Sequence, residues 1–250
     1  MITPLSNTHH SSRHTVDTWR TAPKPVSLIN SDNTTDTVDN LPPKDAAFSS
    51  LAYQLSDSAN RADTAYAVLT REELGEQAST LLKKITGTTY DASRAARHAE
   101  TPDSSDPERV ARAAEATAFV SGNGKNPFAG LSRESLALIT YDDSGLYTTN
   151  ERRAAWEESY DQEYSWRKEV VAQAMAEYDS SGKLTDFFSS VLKHYETLPA
   201  IEQAQYPDNY AAKLQKWIDL DYNYFSNTVE GKGTPEDILS LQESLNVLKH

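Results

Sequence analysis

The sequence predicts an all-α protein: a disordered N-terminal tail, then a bundle of eight or nine helices with one long helix at its centre. Three observations predict it. A phrase that ends one helix and leads into the next occurs twice, as Tyr141-Asp-Asp-Ser-Gly145 and Tyr178-Asp-Ser-Ser-Gly182. Between the copies, from roughly Thr149 to Tyr178, about 30 residues pass without proline or glycine, enough for a helix on the order of 45 Å long. From Asp45 onward apolar residues recur at three- and four-residue steps, and no stretch reads as a convincing strand.

Residues 1–45 contain 13 Ser or Thr and no glutamate, a composition that cannot bury enough apolar surface to fold. The spacing then predicts a first helix with Phe48, Leu51, Ala52, Leu55, Ala59, Ala62 and Tyr66 on one face. Thr70 with Glu73 forms a capping box that opens a second helix through Leu74, Ala78, Leu81, Leu82 and Ile85, ending at Gly87. Tyr90 to Glu100 is a weaker, alanine-rich helix. Asp106 caps the next, with Pro107 at its first position and Gly122 past its end.

The repeated phrase marks the following corner. Glycine takes the left-handed conformation that ends a helix without a steric cost, and Asp and Ser oxygens bond the freed amides. Thr148 with Glu151 is a second capping box and starts the long helix; Thr185-Asp186 restarts the chain after Gly182 in the same way, less completely. On the long helix Ala155, Trp156, Tyr160, Tyr164, Arg167, Val171, Ala174, Met175 and Tyr178 share a broad aromatic face that is expected to pack, opposite a solvated face with Glu157, Glu158, Asp161, Lys168 and Glu169. After Pro199 come a short helix, a longer one from Tyr210 through Trp217, Tyr222 and Phe225 to near Gly231, and a last one capped by Thr234. The domain organisation is therefore a tail, 1–45, and a helical domain, 46–250, divided into N-terminal helices, 46–125, and the long helix with its aromatic, acidic successors, 126–250.

The chain carries a formal charge of -13, most of it beyond residue 141. Without a basic surface neither phosphate contacts nor counterion release is available, which argues against nucleic acid as a partner. No window is long and apolar enough to insert in a membrane, and the start lacks the apolar core of a Sec signal. With no cysteine there is no disulfide, thiolate nucleophile or cysteine-ligated zinc. The expected location is the cytoplasm, or outside the cell by a Sec-independent route.

Candidate sites are few. Placing Gly145 at the sixth position of an EF-hand-like loop puts Asp142 third, Ser144 fifth and Glu151 at the bidentate twelfth position, so Asp142, Ser144 and Glu151 are candidate calcium ligands, and calcium the one candidate cofactor. Position one is Thr140 rather than Asp, and the loop at Gly182 ends on Phe188. Gly122-Asn-Gly-Lys125 lacks the earlier glycine and the Ser or Thr of a phosphate loop. His9, His10 and His14 lack a fixed geometry for a metal. No nucleophile elbow or His-Glu-x-x-His run is present, Glu157, Glu158, Asp161 and Glu163 read as a solvated face, and His194 reads as a packing or edge residue rather than a base. Trp166, off the aromatic stripe and beside Arg167, is the candidate exposed anchor for a protein partner.

Asn126-Pro-Phe-Ala-Gly-Leu-Ser132, Tyr141-Asp-Asp-Ser-Gly145 and Asn150-Glu-Arg-Arg-Ala-Ala155 together resemble a segment of uncharacterised bacterial proteins. The resemblance implies a bacterial source and brings no activity or catalytic residue. The function these readings favour is a non-catalytic protein-interaction module, exported as an effector through a type III-like route that residues 1–45 would serve. A weak calcium-binding helical module and an enzyme whose site assembles only in three dimensions are the alternatives.

Overall fold

The computed structural model describes residues 49–223 and 228–229, all within one compact unit. They form α1 (Ser50–Tyr66), α2 (Arg71–Thr86), α3 (Thr88–Ala92), α4 (Arg94–Ala99), α5 (Pro107–Val120), α6 (Arg133–Thr140), α7 (Thr149–Ser181), α8 (Thr185–Thr197), α9 (Ala200–Gln203) and α10 (Tyr210–Asp219). The fold is all-α, and α7, at 33 residues or about 50 Å, is its spine.

The capping chemistry read from the sequence is in place at α2, α5 and α7. Thr70 with Glu73 and Thr148 with Glu151 are reciprocal capping boxes, and Asp106 accepts from the Glu108 amide. Both corners turn on left-handed glycines, Gly145 at φ 87° and Gly182 at φ 72°. In the first, Asp142 accepts from the Ser144 amide at 2.8 Å; in the second, Ser181 accepts from the Lys183 amide at 3.2 Å.

Four elements differ from expectation. The stretch after Tyr90 is two one-turn helices, α3 and α4, broken at Ser93. Thr185 is the first residue of α8 rather than its cap; the amides of Asp186 and Phe187 donate instead to the two carboxylate oxygens of Glu177, each at 2.9 Å. A carboxylate from the last turns of α7 has replaced the local cap. The helix through Trp217 ends at Asp219 instead of near Gly231, because Asp221 takes a left-handed φ of 49° and hands its carboxylate to Lys183 and Thr185. Beyond it Tyr222 pairs antiparallel with Val229 and Asn223 with Thr228. The tail, Phe48 and the helix expected from Thr234 lie outside the described residues.

Three apolar clusters hold the helices. One joins Ala116 of α5, Leu136 and Ile139 of α6 and Ala154 and Ala155 of α7 around Phe128 and Tyr147. A second joins Leu74, Ala78 and Leu81 of α2 to Ala137, Tyr141 and Ile201. Here α2 comes so close to the chain after α9 that a Cβ on Gly75 would sit 2.7 Å from the Ala204 carbonyl oxygen, so glycine interrupts a helix that would otherwise be better served by alanine. The third packs Ala174 of α7 against Leu184, Phe188, Leu214, Trp217 and Leu220. The two ends of α7 thus belong to different cores.

Candidate functional site: the uncovered face of the long helix

The first turns of α7 are enclosed. Asn150, Glu151, Arg152, Ala154 and Ala155 are all buried, covering about 200° of the helix circumference at 100° per residue, because α5 and α6 pack on this end. Asn150 accepts from Tyr90 and from Arg97, and donates to the Arg97 carbonyl and to Thr117. Past Ser159 only one side stays covered, through Val170 and Ala174. Small residues on that side let α8 approach.

The aromatic face expected to pack is divided by this change. Ala155 and Ala174 are buried, but Tyr160, Tyr164, Val171 and Met175 are 58, 57, 54 and 48% exposed. At 100° per residue the four fall within about 60° of arc and span about 22 Å of helix. Arg167 and Lys168 lie at the middle of the stripe, one on each edge. Lys168 is 5.7 Å from the Tyr164 ring and has no ion-pair partner among the described residues. At the head of the stripe Trp156 and Tyr160 are 5.7 Å apart, with Arg153 over the Trp156 ring at 4.6 Å.

Beneath this face lies a charged cluster drawn from four helices. Glu163 of α7, expected in solvent, has a side chain only 12% exposed. Its carboxylate accepts from Arg167 Nε at 2.9 Å and from His194 Nε2 of α8 at 2.9 Å, with Arg133 of α6 at 3.5 Å. Arg133 also donates to Glu202 of α9 at 2.7 Å. The His194 hydrogen bond above all, then those cations, outweighs burial and lowers the Glu163 pKa to about 2. Glu202 moves the other way: burial raises its pKa, and Arg133 offsets only part of that. Every member of the cluster is held by another, which makes it a tie between α6, α7, α8 and α9.

The anticipated anchors meet this cluster. Trp166 is half-buried and stacks on His194, ring centroids 3.6 Å apart and 12° between planes. The pair borders a groove of about 300 Å³ with Val170, Gln173, Lys193 and Thr197. Arg167 is exposed and paired with Glu163. His194, read from the sequence as a packing or edge residue, stacks one ring face on Trp166 and also holds the Glu163 carboxylate through Nε2.

The three calcium-ligand candidates are each engaged within the protein. Asp142 accepts from Ser58 at 2.5 Å, Arg61 at 2.6 Å and the Ser144 amide. Burial opposes its ionisation, but the hydrogen bonds from Ser144, Ser58 and Arg61 prevail and lower its pKa. Ser144 is exposed and accepts from the Leu146 amide. Glu151 is buried against Arg112 at 3.0 Å. Among the described residues no three His, Asp or Glu side chains are grouped so as to hold a metal ion. His9, His10 and His14 lie outside the described residues.

No family model, curated protein or solved structure matches the chain. The charged tie was out of reach of sequence reading because Arg133, Glu163, His194 and Glu202 share no local pattern. The division of α7 did leave a trace: Ser159, Val170 and Ala174 step along one side as small residues, beside the stripe of large ones.

Proposed function

We propose that the protein is a non-catalytic helical interaction module whose working surface is the uncovered stripe of α7. The observation that carries this reading is the exposure of Tyr160, Tyr164, Val171 and Met175 in one narrow arc. Contiguous exposed apolar surface of this kind marks interaction sites, and Tyr, Met and Arg are the residues enriched at interface cores. The partner that suits the stripe is an amphipathic helix of about four turns. Lys168 and Arg167 at the middle of the stripe favour acidic residues at the middle of that helix. Rigidity supports the same reading, because the Arg133–Glu163–His194 tie holds the stripe in place before any partner arrives.

The test is a photo-crosslinking amino acid at Tyr164, with a control at exposed Glu115, used in bacteria that make the protein and in its secreted fraction. The expected result is an adduct specific to position 164, mapping to an acidic amphipathic helix and lost in Val171→Glu. Equal adducts at both positions, a non-helical target or indifference to Val171→Glu would overturn the reading.

Export as an effector belongs to the same proposal and rests on the composition of residues 1–45. Fused to a reporter, this segment should carry it out of a cell with an active type III apparatus. Retention of the reporter removes the export step and leaves the binding surface untouched.

A further inference from the structure

Away from the stripe, a pocket of about 360 Å³ opens where α3, α4 and α7 meet. Its walls include Tyr90, Arg94, Arg97, His98 and Arg153. Three guanidinium groups converging on one cavity would be ordinary in a basic protein; here the chain as a whole carries -13.

Two of the three are fixed in place. Arg97 is buried, donates from Nε to the Tyr90 carbonyl at 2.8 Å and from Nη1 to Asn150 at 3.0 Å, and lies 3.3 Å from the Tyr90 ring centroid. Arg153 is tied to Glu157 at 2.5 Å and to the Ile85 carbonyl at 3.0 Å, and lies 5.3 Å from the same ring. Each leaves its Nη2 donors unused among the described residues. Arg94 is exposed and has no hydrogen bond or ion pair among them. His98, one turn further along α4, has one ring nitrogen near Ser121 at 3.2 Å and the other unused. Toward the pocket the three arginines and His98 thus present unused N–H donors, two of the guanidinium groups preorganised on the Tyr90 ring, against the carboxylates of Asp91 and Glu157.

We infer that this pocket binds the phosphate group of a small phosphomonoester. A tetrahedral dianion offers several acceptor oxygens to converging donors, and guanidinium forks suit it better than any neutral group. The volume lies within the range of small-molecule sites, roughly 300–1,000 Å³, so an organic portion fits beside Tyr90 and Val120. Two acids face the same space. Glu157 is neutralised by Arg153, whereas Asp91 is exposed at the rim, has no ion-pair partner among the described residues, and opposes an anion. This balance makes a moderate site whose strength the rim charges set.

The opposing rim charges give the test. Glycerol 3-phosphate, inorganic phosphate and sodium chloride of matched ionic strength are titrated into the full chain by calorimetry, with Arg94→Glu and Asp91→Asn alongside. Both positions are exposed, so an unchanged thermal midpoint verifies that each variant folds. The expected result is saturable binding of glycerol 3-phosphate, tighter than that of inorganic phosphate, weakened about tenfold or more in Arg94→Glu and strengthened several-fold in Asp91→Asn. Equal binding by all three proteins, changes of the same sign in both variants, or a response matched by sodium chloride would overturn the assignment.

Discussion

Arg112 on α5 and Glu151 on α7 form an ion pair of 3.0 Å in which the side chains are 10% and 1% exposed. Glu151 also closes the capping box of α7 by accepting from the Thr148 amide at 2.9 Å, and Arg112 donates to Gln54 of α1. One buried pair thus joins three helices and a helix start. Removing either partner strands the other charge. Glu151→Ala and Arg112→Ala should each cost about 3–5 kcal/mol in urea unfolding, whereas the double variant Arg112→Ala with Glu151→Ala should cost less than the two single changes added together. Additive losses would show that the pair is not coupled.

The same bonds bear on calcium. For an ion to use Asp142 and Glu151 it would have to displace Arg61 and Ser58 from one carboxylate and Arg112 from the other. Titration with millimolar calcium should therefore give no saturable heat and no rise in thermal midpoint. Saturable heat that disappears in Asp142→Ala would show that the loop rearranges around the ion.

The two corners make a different prediction. Gly145 and Gly182 have positive φ, and a Cβ added at either would meet no atom within 4 Å. The cost of Gly145→Ala or Gly182→Ala is then backbone strain alone, about 1–2 kcal/mol, and Asn, which tolerates this conformation, should recover part of it. Gly75→Ala should differ in kind: its backbone is an ordinary helix, and the added carbon meets the Ala204 carbonyl at 2.7 Å, so the loss of about 1–3 kcal/mol comes from displacing that segment. Asn at Gly75 should be worse than Ala. The reverse order there would dismiss the close-approach account.

Local chemistry explains which features were legible in the sequence. Capping boxes and glycine corners act over three or four residues, so Thr70 with Glu73, Thr148 with Glu151, Gly145 and Gly182 could be read directly. The end of α10 could not, since Asp221 is turned by Lys183 and Thr185, more than thirty residues away. Periodicity identified the stripe containing Tyr160 and Tyr164 but assigned it to a core. Hydrophobic spacing gives a direction around a helix and not the presence of a neighbour on that side. Glu163 shows the converse error: it was grouped with solvated acids because its partners Arg133 and His194 are distant in sequence.

Glu163 and Glu202 share Arg133 yet respond oppositely to pH. The Glu163 pKa falls from an ordinary 4.5 to about 2, chiefly through His194. Its folded carboxylate therefore contributes stability that is fully present above pH 4.5 and is lost as pH falls through about 2. Glu202 has a raised pKa because it is buried. Its carboxylate thus costs stability at neutral pH, and acidification toward 4.5 relieves that cost. Urea unfolding from pH 7 to 2.5 should accordingly show two separable differences from the parent. Glu202→Gln should remove a gain on going from neutral pH toward 4.5. Glu163→Gln should remove a loss below 4.5, on the order of 2 kcal/mol after allowance for solvent screening. His194→Ala should shrink that acid-side loss, because it removes the largest cause of the Glu163 shift while leaving Arg167 and Arg133 in place. If His194→Ala leaves the limb below pH 4.5 unchanged, the hydrogen bond to Glu163 does not hold that carboxylate down.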